Sequence, residues 1–182
     1  MPDRAMPQFP FKPRSTSFLR PGMFWAVPLS DGRFACGRVL QIEPSSRVTL
    51  LAGLMAWVSP KPPTDAALSG AALLSQGTAH IKTITETGGE ILGERPLTAD
   101  SIEPLPELSH AMPPRVRLVS GFEDLRAATR EEVDALPVLS AWGYNVIAVQ
   151  AEEYFVSGVA SPWWLHPHVD EAAASRSAGS ES

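Results

Sequence analysis

The sequence predicts an α+β protein: a twisted, antiparallel, partly barrel-like sheet with two or three short helices. Three observations predict it. Short stretches of alternating apolar and polar residues recur between turn signals, the mark of half-buried strands. Proline supplies 18 of the 182 residues, about double its usual share, and an interior proline breaks a helix, so a long helical bundle is excluded. Hydrophobic residues make up 44% and charged residues 19%. That is enough apolar material for a core and too little charge for a wholly disordered chain.

The elements follow in chain order. Residues 1–20 read as a flexible, Pro-rich basic arm. Pro2, Pro7, Pro10 and Pro13 oppose a helix, Arg4, Lys12, Arg14 and Arg20 keep it solvated, and Phe9, Phe11 and Phe18 offer contacts to the body. A single domain spans 21–157. Its clearest signal is a hairpin at Asp31-Gly32, a type I′ turn pair whose two residues need positive φ. Before it, Met23, Trp25, Val27 and Leu29 alternate on one face. After it, Phe34, Cys36, Leu40 and Ile42 alternate, interrupted by Arg38. Pro28 cannot donate to a ladder, which puts this strand at an edge there.

Arg47 to Val58 is a nearly continuous apolar run between Pro44-Ser45-Ser46 and Ser59-Pro60-Lys61-Pro62-Pro63. It suits a strand buried on both faces, although periodicity alone does not separate it from a helix. Thr64 caps a predicted short helix over 65–75, weakened by Gly70. His80 to Thr85 alternates as a strand, and Gly88-Gly89 turns the chain into Glu90-Ile91-Leu92. Residues 96–114, with five prolines, read as loop. Arg115 to Val119 is a short strand. Thr129-Arg130-Glu131-Glu132 matches a capping box, starting a helix that stops near Leu136, before Pro137. Asn145 to Gln150 reads as a strand or as the start of a helix through Tyr154. The segment 158–182 closes the chain, with disorder expected after about residue 172, where Ala, Ser, Gly and Glu dominate.

Composition narrows the function. The net charge is −5, unlike a basic nucleic-acid binder. One cysteine precludes an internal disulfide and fits a reducing cytoplasm. The N-terminus lacks an apolar stretch of signal-peptide length. The longest apolar run, Val48 to Val58, falls short of the ~18 residues of a membrane span. The expectation is a cytoplasmic protein with no membrane or nucleic-acid partner.

Charge is uneven. Residues 92–182 hold six Lys/Arg against fourteen Asp/Glu, a net of −8. Within 123–171, Glu131, Glu132 and Asp134 cluster at the capped helix, and Glu152 and Glu153 lie further on. This stretch is either a solvated acidic surface or a docking face for a basic partner.

No motif of catalysis or cofactor binding stands out. The cluster Gly88-Gly89-Glu90-Ile91-Leu92-Gly93 fits a hairpin better than a phosphate cradle. Cys36 with His80 or His110 has the residue types of a nucleophile–base pair. Its place among Phe34, Ala35 and Val39 favours a small buried hydrophobe instead. His166-Pro167-His168 with Asp170 resembles metal ligands by residue type alone. Acids at the capped helix are explained by capping and the helix dipole. Trp163-Trp164 either folds back on the domain, the favoured reading, or stands exposed as a partner anchor. The sequence thus predicts no catalytic residue, no metal and no cofactor.

Two stretches carry a resemblance. Gly22-Met23-Phe24-Trp25-Ala26-Val27-Pro28-Leu29, followed by Asp31-Gly32-Arg33-Phe34 and Gly37-Arg38-Val39-Leu40, resembles the opening of the immunity protein 26 family. Gly89-Glu90-Ile91-Leu92-Gly93-Glu94-Arg95-Pro96-Leu97 is similar to a middle segment of that family. The resemblance implies an α+β protein of a bacterial polymorphic toxin system that neutralises its cognate toxin by binding, without catalytic residues. An acidic protein suits a basic, nucleic-acid-degrading toxin, because complementary charge steers association. The candidate partner-binding residues are Glu131, Glu132, Asp134, Glu152, Glu153, Trp163 and Trp164. The competing classes are a small β-rich interaction module of unrelated role and an unrecognised hydrolase.

Overall fold

A computed structural model describes residues 6–112, 114–159 and 162–167. Residues 1–5 of the arm, His168, Asp170 and the tail after 172 lie outside the described residues.

The chain enters along Phe11, which exchanges backbone hydrogen bonds with Ile91 at 3.1 and 2.8 Å. It then makes a short 3-10 turn, Thr16–Phe18. Strand β1, Met23–Pro28, and β2, Phe34–Ile42, form the expected antiparallel hairpin. Its turn differs from expectation. Gly32 alone has positive φ, +85°, and its N–H bonds to Leu29 O at 3.1 Å. A Leu29–Gly32 turn ending in a left-handed glycine is a longer loop than type I′, and Asp31 needs no left-handed backbone. Pro28 pairs with Phe34 beyond the reach of the neighbouring strand, at the edge as predicted.

Strand β3, Thr49–Ser59, runs through the middle of the sheet, buried on both faces from Leu50 to Met55. Beyond it the expected helix over 65–75 shrinks to a 3-10 turn, Ala66–Leu68. Gly70 adopts φ +75° and ends it, and Leu73–His80 becomes strand β4, paired to β3. The predicted strand over His80–Thr85 is instead helix α1, Lys82–Thr85. Ile81 and Ile84 both point into the core at helical spacing. Gly88-Gly89 therefore follows a helix and not a hairpin strand. Strand β5, Gly93–Glu94, returns along β1.

The loop predicted over 96–114 holds a 3-10 turn, Leu97–Asp100, and strand β6, Pro106–Leu108. With β7, Arg117–Ser120, and β8, Glu123–Ala127, this strand builds a small antiparallel sheet. Helix α2, Arg130–Ala135, starts at the Thr129 capping box, and Leu136 caps its end. Strand β9, Ala141–Trp142, lies parallel to β4. Of the two readings of residues 145–154, the helix holds, as α3, Val146–Phe155.

The large sheet has the order β5-β1-β2-β3-β4-β9. The fold is α+β, as expected. The sheet is antiparallel except at β9, which joins in parallel and makes it mixed, and it is not closed into a barrel. Successive residues of each strand face opposite sides. Met23, Trp25, Val27, Leu50, Ala52 and Leu54 join Ile84 and the α3 residues Ile147 and Ala151 on one side. Phe24, Cys36, Leu40, Leu51, Met55 and Ile102 fill the other. A bulge between Val39 and Gln41 moves Ile42 to the α3 side, out of step with Cys36 and Leu40. Among the described residues no helix is long and apolar enough to cross a membrane.

Candidate functional site

A cleft of about 510 Å³ with a polar floor lies at the β9 edge of the large sheet. Local forces place each of its walls. Strand β9 continues an edge begun by the Thr78 N–H, which bonds to Ser140 O at 2.8 Å. The indole of Trp142 lies over Gly77, where a Cβ would stand 2.2 Å from Nε1, so only glycine leaves room for the ring. The small sheet is tied in by Leu108 N–H to Pro137 O and Leu139 N–H to Leu108 O, both 2.8 Å. Helix α3 buries Ile147, Gln150 and Ala151 and presents Val149, 56% exposed, outward. Residues 162–167 fold back to form the last wall. Trp164 Nε1 donates to Glu153 Oε2 at 2.6 Å, and its ring packs against Tyr154, 6.1 Å between centroids.

The floor is a buried polar network. Ser75 Oγ donates to Gln150 Oε1 at 2.6 Å. Gln76 Nε2 donates to Leu105 O at 2.9 Å and to Glu107 Oε2 at 2.8 Å, while its Oε1 accepts from Leu105 N–H at 2.7 Å. Glu107 is 3% exposed. Burial pushes its carboxyl up to about 7, only partly opposed by the Gln76 hydrogen bond. Buried His166 stands 3.0 Å from Pro106 O through Nε2. A carbonyl only accepts, so that nitrogen carries the proton.

The predicted residues separate into three groups. Glu153, Trp163 and Trp164 meet at the cleft. The two indoles differ: Trp164 folds back, whereas Trp163 is 89% exposed at the mouth. Glu152 points to the first hairpin, where both Ser30 N–H, at 3.1 Å, and Ser30 Oγ donate to its carboxylate. Glu131, Glu132 and Asp134 lie on α2 beside the small sheet, and none of them lines the cleft. Glu131 and Asp134 are exposed. Glu132 completes the capping box and accepts from Arg126 Nη1 at 2.8 Å. Arg126 first, and then the Thr129 N–H, pull its carboxyl down to about 2.

Sequence reasoning missed Glu107, Gln76 and Gln150. Glu107 sits in a Pro-rich stretch without periodicity, and its buried partner is 31 residues away. Cys36 is fully buried on the sheet face opposite α3, and burial pushes its thiol far above the ordinary range. His80 is engaged elsewhere: its Nδ1 accepts from Lys82 N–H at 3.1 Å, and its ring lies 5.7 Å from that of Tyr144. Among the described residues no group of three or more His, Cys, Asp or Glu is placed to hold a metal ion.

A family model described as Immunity protein 26 matches residues 20–111, about half of the chain. The matched span contains three of the floor residues, Ser75, Gln76 and Glu107. Helix α3 and the two tryptophans lie beyond it. No curated protein and no solved structure matches the chain.

Proposed function

The chain belongs to the immunity protein 26 family, and from that premise we propose that it binds a cognate toxin of a bacterial polymorphic toxin system and blocks it by occlusion. The family match carries this reading. Two features of the surface support a basic toxin, such as one that degrades nucleic acid. The second half of the chain has a net charge of −8, and Glu131 and Asp134 stand exposed on α2. Such charges accelerate encounter with a positive partner and weaken it as salt rises. The cleft adds an aromatic, partly apolar rim, of the composition that enriched interface cores share.

The test is co-expression with the toxin encoded beside this gene, together with association kinetics at two ionic strengths. The wild-type protein restores growth. Glu131→Lys combined with Asp134→Lys slows association and flattens its salt dependence with the fold intact, since surface changes shift stability by about 0.5 kcal/mol or less. Absence of both rescue and binding refutes the reading.

A further inference from the structure

We infer that the cleft between α3, β6 and residues 162–167 is a receptor for a single cationic side chain, an arginine presented by the partner protein. The inference rests on the proposed function only for the identity of the protein that carries the arginine. Its volume, about 510 Å³, lies in the range of ordinary ligand pockets. The ionisable groups lining it are Glu107, Glu153 and His166, and no lysine or arginine among the described residues shares the lining.

Glu107 gives the site its chemical character. Its side chain is buried, and Gln76 Nε2 donates to its Oε2. A buried carboxylate served by a neutral donor is poorly compensated, and a cation brought within contact supplies what is missing. Glu153, held by Trp164 through Oε2, adds a second carboxylate on the wall. At the mouth, the exposed indole of Trp163 offers a face for a planar guanidinium, and Val138 and Val149 flank the path of its aliphatic stem. Arginine fits better than lysine because it both stacks on an aromatic face and forks onto a carboxylate.

The test titrates the full chain with N-acetyl-arginine amide, N-acetyl-lysine amide and the neutral isostere N-acetyl-citrulline amide. It follows the indole N–H signals, with Trp163→Phe assigning that resonance. Arginine is expected to give saturable shifts of the Trp163 and Trp164 signals, lysine weaker ones, and citrulline none. Glu107→Gln should weaken arginine binding roughly tenfold or more, as loss of a charge-assisted hydrogen bond does, with a dispersed spectrum showing that the variant folds. Glu153→Gln should weaken it less, because that carboxylate is shared with Trp164. Equal binding of citrulline, undiminished binding by folded Glu107→Gln, or flat titrations overturn the assignment, and lysine binding as tightly as arginine overturns the choice of arginine. Growth rescue with a flat titration removes the cleft's role and leaves the immunity reading standing. A specific titration with no rescue does the reverse.

Discussion

Arg38 and Asp100 form an ion pair sealed from water: Arg38 Nη1 donates to Asp100 Oδ2 at 3.0 Å, and the side chains are 0% and 1% exposed. Arg38 lies in the first of the two stretches that carry the family resemblance, and Asp100 stands three residues past the end of the second. Arg38, on β2, also donates to the backbone carbonyl of Arg95, just past β5. Arg95 in turn donates to Asp100 through Nε at 2.8 Å and Nη2 at 2.9 Å, and Gly70 N–H adds a further bond at 2.9 Å. An arginine in the middle of an apolar strand, a defect in the alternation, is thus the bolt between the first hairpin and the return strand.

Asp100→Ala leaves the Arg38 guanidinium buried without its carboxylate. Removing one partner of a buried pair costs about 3–5 kcal/mol, and urea unfolding should show a loss of that size at neutral pH. The acid limb gives a second readout. Arg95 first, then Gly70 N–H and Arg38, hold the Asp100 carboxyl far below its ordinary range. A depressed folded pKa stabilises above the unfolded pKa of about 3.9 and loses that contribution as pH falls further. The wild-type protein should therefore lose stability below about pH 4 more steeply than Asp100→Ala. Parallel acid limbs would show that Asp100 is not held in this way.

What the sequence reveals depends on how local the cause is. The Asp31-Gly32 hairpin and the Thr129 capping box were legible because every group that makes them lies within a few residues. Leu73–His80 was harder, since Leu68, Ala71 and Leu74 share a helical spacing that only the left-handed Gly70 interrupts. Residues 80–85 satisfied a period of two and a helical spacing alike, and burial of both Ile81 and Ile84 decided between them. The cleft was illegible for a different reason. Its floor pairs Gln76 with Glu107, and its wall pairs Glu153 with Trp164. No local pattern encodes either contact. Nor does adjacency reveal that Trp163 and Trp164 part company, which follows from the turn closed by Leu165 N–H on Pro162 O at 3.0 Å.

Gly22 and Gly32 both have positive φ, +99° and +85°, yet alanine should affect them unequally. At Gly32 a Cβ meets nothing within 4 Å, so the change carries backbone strain alone, about 1–2 kcal/mol. At Gly22 it would stand 2.5 Å from the Arg95 carbonyl oxygen. That contact sits where Arg95 N–H bonds back to Gly22 O at 3.0 Å, so relief requires moving β5. Thermal melts of the two variants should rank Gly22→Ala clearly below Gly32→Ala; equal losses would mean that β5 yields freely.

Glu107→Gln should change how stability depends on pH. The folded carboxyl is pushed up to about 7 from an ordinary 4.5 by burial. A raised folded pKa means that its contribution is full below about pH 4.5 and is lost as pH rises through about 7. Gln keeps the shape and still accepts from Gln76, but it has no charge to desolvate. The variant should match the wild type in mild acid and exceed it above pH 7 by about 3 kcal/mol at most. Denaturant midpoints across pH 4.5 to 8 provide the measurement. A constant gap between the two proteins would locate the effect in packing instead of ionisation.

Trp163→Ala and Trp164→Ala should separate binding from folding. Trp163 is 89% exposed, so its loss should leave the melting temperature nearly unchanged, as surface substitutions do. If the mouth of the cleft contacts the toxin, a large exposed aromatic there is the kind of residue whose truncation costs about 2 kcal/mol or more of binding. Trp164 is half-buried and donates to Glu153 at 2.6 Å. Removing it releases residues 162–167 from α3, which should lower the melting temperature and speed amide exchange along α3. Melting curves, hydrogen exchange and toxin affinity, measured together, form the check. Unchanged affinity in Trp163→Ala would shift the toxin interface from the cleft to the acidic face of α2, where Glu131 and Asp134 stand exposed.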